Sequence, residues 1–297
     1  MGNDIVLFGG LLLDRYFHID RWPTRGQDGF FDREEAFVGG CAINMAVTIH
    51  HLGGHAHVVS CVGDDHTAQS IRCYLKEHGL SNQLVLPVSG PTGRCLVFSE
   101  PEGERTFLTR KGVETSFPME LASAISSVRP AWAGVTGYYL LGDDAPRILD
   151  CLERLHRGGT KILFDPSPLV GDIHPQILEQ IVSLSDVLTP NASELMALGG
   201  ESRLPALAES GKIILFKQGA AGGRVYAPGE TFHYASAPCT AVDTTGAGDS
   251  FSGAFLYAQT CRYPLRQAVE LAAQCAAKTV QFHGPHRFWN LEEFSHA

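Results

Sequence analysis

Short apolar runs alternate with helical stretches along most of the chain. Five such runs, rich in valine, isoleucine and leucine, cover residues 58–62, 133–137, 161–165, 186–188 and 212–216. Runs of this length are typical of parallel strands buried on both faces, and helices fill the gaps between them. The pattern therefore predicts an α/β fold with a doubly wound, mostly parallel sheet flanked by helices.

Several polar or glycine positions follow predicted strands directly. They are Asp14, Asp165, Asn191 and Gly219. In doubly wound sheets, ligands bind beyond the carboxyl ends of the strands. We therefore expect these positions to share one composite site at that edge of the sheet.

Composition places the chain among globular proteins. Its 297 residues are 44% hydrophobic, which allows a large core in one or two domains. A net charge of -9 argues against a nucleic-acid or anionic-membrane partner, because phosphate groups attract clustered lysine and arginine. The apolar stretch at residues 5–13 contains two glycines and is too short to span a bilayer. We expect a soluble protein.

Cysteine and histidine usage gives no metal or redox signal. The eight cysteines are scattered without a C-x-x-C pair, so we expect them to be reduced in a cytoplasmic protein. The tightest histidine group is His50, His51, His55 and His57. Because this group straddles a Gly-Gly pair at a predicted helix end, we expect solvated side chains rather than zinc ligands.

The strongest chemical signal is the run Asp-Thr-Thr-Gly-Ala-Gly-Asp at residues 243–249, followed by an apolar helical stretch. Gly246, Ala247 and Gly248 permit a tight turn whose amides point outward, and a helix N-terminus behind them favours a bound anion. Asp249 falls in the first helical turn. A carboxylate there is placed to accept a hydroxyl proton while the amides stabilise a transferred phosphoryl group.

Two other nucleotide-binding motifs are excluded by the residues at their required glycine positions. A dinucleotide-binding fingerprint requires glycine at position 251, where Phe251 stands. A Walker A loop ending at Gly211 and Lys212 requires glycine at Ala206. The remaining alternative is an ordinary capped helix, in which Asp249 only satisfies first-turn amides.

A second glycine-opened helix lies near the other end of the chain. Gly39 and Gly40 allow close backbone approach to a ligand, and the Asn44 amide that follows both donates and accepts hydrogen bonds. Residues 39–54 and 243–256 resemble the two signatures of the PfkB family of carbohydrate kinases, which have the ribokinase-like fold. The resemblance extends along nearly the whole chain and implies a single domain over residues 1–297.

The resemblance assigns roles around the acceptor. It implies that Asp249 is the catalytic base and that Gly246, Ala247 and Gly248 form the anion hole. The predicted first strand, which would end at Asp14, resembles the strand whose aspartate binds substrate hydroxyls. Gly39, Gly40 and Asn44 would complete the acceptor site.

The resemblance also implies ATP and Mg²⁺. Asn191 and Glu194 match an N-x-x-E element that orders magnesium and phosphates through water, which suits the strong hydration of Mg²⁺. Lys217, Gly219 and Gly222 resemble a segment that lines the ATP pocket. A plain strand-turn hairpin is the alternative for that segment.

A monovalent-cation loop is the third implied feature. Asp243 and Thr245 match its positions, and a turn near Gly284 completes it in potassium-dependent members. The residues after Gly284 depart from that pattern, so both potassium-dependent and potassium-independent activity stay open.

Residues 15–38 and 92–110 break the strand-helix alternation and resemble the family's small β-sheet lid. Such a lid would close over the sugar and exclude water, and its apolar outer face would pair two subunits into a homodimer. Arg94, Arg105 and Arg110 lie in or beside its second half. One of them, for which Arg110 is our candidate, would bind substrate through its guanidinium; solvent-facing strand charges are the alternative.

These features predict a kinase that transfers the γ-phosphoryl group of ATP to a primary hydroxyl of a small sugar. A free sugar ranks first, a nucleoside of the adenosine or pseudouridine type second and a phosphosugar third. A catalytically silent sugar-binding protein is the alternative from another class. The presence of Asp249 and the Gly-Ala-Gly turn together with Asp14 and Asn44 favours the enzyme.

Overall fold

The computed structural model describes residues 4–100 and 105–286. Within these residues, one large sheet contains β1 (Ile5–Phe8), β4 (Ala56–Val62), β5 (Val85–Pro87), β8 (Trp132–Thr136), β9 (Lys161–Asp165), β10 (Val187–Leu188), β11 (Ile213–Lys217), β12 (Gly223–Ala227) and β13 (Glu230–Tyr234). Their order is β13-β12-β11-β10-β9-β8-β1-β4-β5. The strands from β11 to β5 pair in parallel, and β12 and β13 add an antiparallel edge. The predicted mostly parallel sheet is confirmed.

Helices cover both faces of this sheet. They are α1 (Cys41–His51), α2 (His66–Glu77), α3 (Met119–Val128), α4 (Ala145–Arg157), α5 (Pro175–Leu184), α6 (Ala192–Ala197), α7 (Leu204–Glu209), α8 (Ala247–Thr260) and α9 (Leu265–Thr279). Successive residues of β1 point to opposite faces. Ile5 and Leu7 join the core under α1, α8 and α9, whereas Val6 and Phe8 join the core under α3 to α7. This is the doubly wound arrangement that the sequence predicts.

A second sheet, the small sheet, stands apart from the first. It is formed by β2 (Leu12–Ile19), β3 (Phe31–Gly39), β6 (Arg94–Ser99) and β7 (Arg105–Arg110), in the order β3-β2-β6-β7. These strands occupy the two segments that break the strand-helix alternation. Residues 101–104, in the middle of the second segment, lie outside the described residues.

The first strand differs from the prediction. It ends at Phe8 rather than at Asp14, and Asp14 lies inside β2 of the small sheet. Gly9 and Gly10 cause the break. A side chain at Gly9 would meet the Ala42 Cβ at 2.8 Å, so the glycines let the chain pass close to α1 as it leaves the large sheet.

Two of the four clustered histidines also differ from the prediction. His51 and His57 are buried, His51 at the end of α1 and His57 inside β4, whereas His50 and His55 are exposed as expected. The cluster therefore does not sit entirely at a solvated helix end. No described helix is long and apolar enough to cross a membrane.

Helices α1 and α8 touch backbone to backbone. A Cβ at Gly253 would lie 2.7 Å from the carbonyl oxygen of Met45, closer than real Cβ atoms approach. The Thr48 hydroxyl donates to the Ser250 hydroxyl at 3.2 Å across the same contact. The absence of a side chain at Gly253 thus brings the N-terminal turns of the two helices together, and each of those turns carries a predicted site residue.

Candidate active site

Asp249 lies at the start of α8, where the predicted glycine turn feeds the helix. Gly246 is the N-cap residue and has a left-handed backbone (φ 76°), and a Cβ there would lie 1.9 Å from the carbonyl oxygen of Pro285. Only glycine fits this turn. The first amides of α8 have no partners within the helix, so the turn offers N–H groups beside the Asp249 carboxylate.

The Asp249 carboxylate is held by a neighbouring amide. Asn44, on the first turn of α1, donates from Nδ2 to Asp249 Oδ2 at 2.7 Å. Burial, followed by the negative charge of Asp165, raises the pKa of Asp249 from 3.8 to about 7, against hydrogen bonds from Asn44 and Cys41 and the charge of Lys217. A carboxylate with such a pKa is suited to accept a proton near neutral pH.

Asp14 reaches the same place from the small sheet. It is buried, and burial together with the Asp249 charge raises the pKa of Asp14 to about 7. A Cβ at Gly39 would lie 2.0 Å from Asp14 Oδ2, and one at Gly40 would lie 2.1 Å from the carbonyl oxygen of Gly10. The glycine pair therefore gives Asp14 its space beside the start of α1.

Asn44 is itself oriented by a residue that the sequence analysis did not single out. The Nδ1 atom of His286 lies 2.7 Å from Asn44 Oδ1, so His286 donates and Asn44 accepts. The Tyr74 hydroxyl, from α2, donates to the other ring nitrogen, Nε2. Burial and then the charge of His78 lower the pKa of His286 to about 4, which keeps the ring neutral with Nε2 as an acceptor. Tyr74, His286, Asn44 and Asp249 form a continuous hydrogen-bonded chain.

Asp165 gathers three donors at the end of β9. Its Oδ2 accepts from the Thr189 hydroxyl at 2.9 Å, the Ser252 hydroxyl at 2.9 Å and Lys217 Nζ at 3.0 Å. Burial alone would lower the pKa of Lys217, but the charges of Asp165 and Glu194 outweigh it and the pKa is raised. Lys217 Nζ also lies 3.2 Å from where a Cβ of Gly248 would stand. A fixed positive charge therefore flanks the turn of amides.

Asn191 and Glu194 begin α6 as a capping box. The Asn191 side chain accepts from the Glu194 amide at 3.0 Å, and Glu194 Oε2 accepts from the Asn191 amide at 2.9 Å. Burial and then the charge of Asp165 raise the pKa of Glu194. The motif thus has a local structural role and also places a buried carboxylate near Asp165.

The remaining predicted positions lie in the turn after β11, in the loop before α8 and at the end of β7. Gly219 and Gly222 have positive φ angles (60° and 81°) in the turn between β11 and β12, which is the antiparallel hairpin given above as the alternative for this segment. Asp243 and Thr245 precede the turn of amides, and the Thr245 amide donates to Asp243 Oδ1 at 2.7 Å. Arg110 ends β7 with an exposed side chain.

Sequence reasoning missed His286, Tyr74, Thr189 and Ser252. No local pattern marks them, because each acts through a partner that is distant in the chain. His286 and Asn44, for example, are 242 residues apart. Only the departure from the family pattern after Gly284 drew attention to that segment.

The raised pKa of Asp249 predicts how stability depends on pH. The folded state holds this proton more tightly than the unfolded state, so stability is lost as pH rises from 3.8 through about 7. Asp249→Asn removes that loss. Between about pH 5 and about pH 8, its free energy of unfolding should gain about 2–3 kcal/mol relative to the wild type, as measured by urea denaturation.

The matched control is Asp20→Asn, an exposed aspartate next to the small sheet. It removes the same charge from a solvated position and should track the wild type across this pH range. A constant difference between Asp249→Asn and the wild type at all pH values would contradict the raised pKa.

Known proteins resemble this chain over most of its length. The model of the pfkB family of carbohydrate kinases matches residues 6–290. The chain is 27% identical over 291 residues to a protein of Escherichia coli (strain K12) named uncharacterized sugar kinase YegV, covering 95% of this chain and 90% of that protein. It is also 27% identical over 312 residues to the ribokinase of Schizosaccharomyces pombe, covering 95% and 93%.

Solved structures share the fold. The adenosine kinase of Sinorhizobium meliloti superposes with a TM-score of 0.85 at 21% identity, covering 99% of this chain and 98% of that one. The family match spans both glycine turns and every site residue described above. The chain therefore belongs to the pfkB family of carbohydrate kinases and has the ribokinase-like fold.

Proposed function

We propose that this phosphotransferase moves the γ-phosphoryl group of ATP to a primary hydroxyl of a small free sugar. One observation carries the proposal: Asp249 combines a pKa near 7, an orienting hydrogen bond from Asn44 and a position in the first turn of α8. A general base, an acceptor-binding amide and an anion site are thereby joined in one place.

The acceptor is held between Asp14 and Asn44. Asp14 accepts from the sugar hydroxyls, and Asn44 has a second Nδ2 hydrogen available beside the one given to Asp249. Asp249 then takes the proton of the attacking hydroxyl as the new P–O bond forms. Its pKa of about 7 leaves about half of it ionised at neutral pH and most of it ionised above neutral pH, so it can act as a base.

The transferred group is stabilised by fixed charges of the chain. The amides of Gly246 to Asp249 and the dipole of α8 meet the developing negative charge. Lys217 adds a point charge on the same side, held in place by Asp165 at 3.0 Å. Phosphoryl transfer depends on such positioning more than on covalent chemistry.

A magnesium ion fits the acidic side of this site. Asp165 and Glu194 are buried carboxylates; burial and then the charge of Asp165 raise the pKa of Glu194, and a cation between the two would lower both costs. Asn191 and Glu194 would hold the ion through water, and it would neutralise phosphate charge when bound. ATP would enter along the hairpin turn that contains Gly219 and Gly222.

The faces of the small sheet favour a sugar over a nucleoside. Asp14 and Phe17 are an odd number of residues apart on β2, so their side chains point to opposite faces. Phe17 packs against Phe31 and Phe98, with ring centroids 5.0 and 5.6 Å away. These aromatic rings fill their own layer and do not stack on a base held near Asp14. A nucleoside is the second candidate, with Phe37, which pairs with Asp14 across the sheet, as its stacking partner.

A homodimer through the small sheet and a cytoplasmic location stay predictions. Exposed apolar side chains on and near the small sheet support the first of these: Trp22, Phe30, Phe31 and Leu108. Such a patch is typical of a protein–protein interface. Sedimentation velocity distinguishes a monomer from a dimer, and a monomer at micromolar concentration would contradict the predicted homodimer.

The test of function is ADP release from ATP and Mg²⁺ with a panel of free pentoses, hexoses, nucleosides and phosphosugars. We expect the highest kcat/KM for a free sugar, with kcat/KM falling below about pH 7 as Asp249 takes up its proton. Asp249→Asn should lower kcat by about 10²- to 10⁴-fold. A nucleoside with the highest kcat/KM would support the second candidate.

Two outcomes would contradict the proposal more deeply. Undiminished turnover by Asp249→Asn would remove Asp249 from the role of base. Wild-type protein that turns over no acceptor, but is stabilised against heat by a sugar, would be the catalytically silent binding protein.

The hydrogen-bonded chain generates a separate prediction. We expect His286→Ala to lower kcat by roughly 10- to 100-fold and to change the acceptor KM less, because Asn44 would lose the partner that orients it toward Asp249. His286→Asn retains a donor and should recover part of the loss. Steady-state kinetics at saturating ATP measures both parameters.

The control for this prediction is His283→Ala. His283 lies in the same turn, is exposed and faces the ring of His18. It should keep wild-type kcat. Equal losses in His283→Ala and His286→Ala would mean that the turn as a whole, and not the bond to Asn44, is what matters.

A further inference from the structure

Asp243 is a buried carboxylate in the loop that leads into the turn of amides. Its side chain is 2% exposed. Oδ1 accepts from the Thr245 amide at 2.7 Å and Oδ2 accepts from the Gly284 amide at 3.0 Å. A buried ionised carboxylate is costly unless a positive charge accompanies it. The identity of that positive charge therefore matters for the turn that follows.

The chain supplies the charge itself. Arg105 is the first residue of β7, and its Nη2 atom lies 3.0 Å from Asp243 Oδ1. The Arg105 side chain is only 12% exposed, so the pair is screened little by solvent. This ion pair links the small sheet to the loop before α8.

A monovalent cation does not fit the same carboxylate. A bound potassium ion requires oxygen lone pairs directed at it. Here Asp243 is surrounded by the N–H groups of Thr245, Gly284 and Arg105, which are donors. The full positive charge of Arg105 would repel a cation at that position. The donor set thus disagrees with the cation loop that the family resemblance implies.

We propose that Arg105 takes the place of a monovalent cation as the counter-ion of Asp243. The guanidinium fixes the loop from Asp243 to Gly246, which in turn fixes the amides that begin α8. Arg105 is a positioning residue: it acts through Asp243 and not on the substrate. Activity is therefore independent of potassium. The proposal rests on the kinase activity, but the charge pairing has a readout of its own in thermal stability.

The sequence context agrees with this substitution. The turn at Gly284 donates its amide to Asp243, and Gly284 has a positive φ of 95°. His286, two residues later, is occupied with Asn44 and Tyr74. The segment that would complete a cation site thus forms hydrogen bonds with three side chains of the protein itself: Asp243, Asn44 and Tyr74.

The experiment compares potassium chloride with N-methylglucamine chloride at equal ionic strength. Wild-type kcat and melting temperature should be the same in both salts. Arg105→Ala should lower kcat by roughly 10- to 100-fold in N-methylglucamine, because it leaves the buried Asp243 unpaired. Potassium should then restore part of its kcat and raise its melting temperature. Arg105→Lys keeps the charge and should be insensitive to potassium.

The matched control is Arg15→Ala. Arg15 pairs with Glu34 on the exposed surface of the small sheet, and an exposed ion pair contributes little. It should behave as the wild type in both salts.

Two results would overturn the proposal. One is a several-fold stimulation of wild-type kcat, or a rise in wild-type melting temperature, that is specific to potassium. The other is an Arg105→Ala protein that matches the wild type in kcat and melting temperature without potassium. If no acceptor gives turnover, the proposed function fails, while the melting temperatures still decide the role of Arg105.

Discussion

Negative charge crowded into a small buried space is the constraint on which this site depends. Asp14, Asp165, Glu194 and Asp249 converge at the carboxyl edge of the large sheet, and repulsion among them contributes to the raised pKa values of three of these carboxylates. The substrate ATP is itself a polyanion. Lys217 sits where it faces both the carboxylates and the turn of amides. The arrangement is costly to the folded protein and useful for the reaction, since a carboxylate in these surroundings binds a proton tightly enough to exchange it near neutral pH.

The geometry of the helices makes that crowding possible. Most helix pairs are separated by side chains, but α1 and α8 meet at Gly253 without one. The same contact places Asn44 at hydrogen-bonding distance from Asp249. The small sheet contributes Asp14 to the site from β2. It also contributes Arg105 from β7, whose ion pair with Asp243 holds the loop before α8. Packing and electrostatics therefore depend on each other here. The close contact at Gly253 brings the carboxylates together, and the ion pairs of Arg105 and Lys217 fix the loops around them.

The sequence predicts what is encoded locally. The apolar runs predict the large sheet. The glycines of two short motifs predict the two tight turns. Gly246 and Gly40 have the positive φ angles that such turns require. The predicted end of the first strand was wrong. Leu12 and Leu13 continue the apolar pattern of β1, but the chain has already turned at Gly9 and Gly10 and entered the small sheet. His286 and the pairing of Arg105 with Asp243 were beyond prediction for a different reason. Their roles depend on which distant segment lies opposite them, and single-sequence periodicity contains no such information.

The bond between Asn44 and Asp249 joins residues 205 positions apart. During synthesis, Asn44 is made long before Asp249. A chain that ends before α8 does not contain the proposed base. Pairing of such distant segments is entropically slow. We therefore expect this part of the candidate site to form late, when α8 packs on α1 across Gly253. An incomplete chain on the ribosome lacks the proposed base and the turn of amides, and the candidate site is completed together with the core.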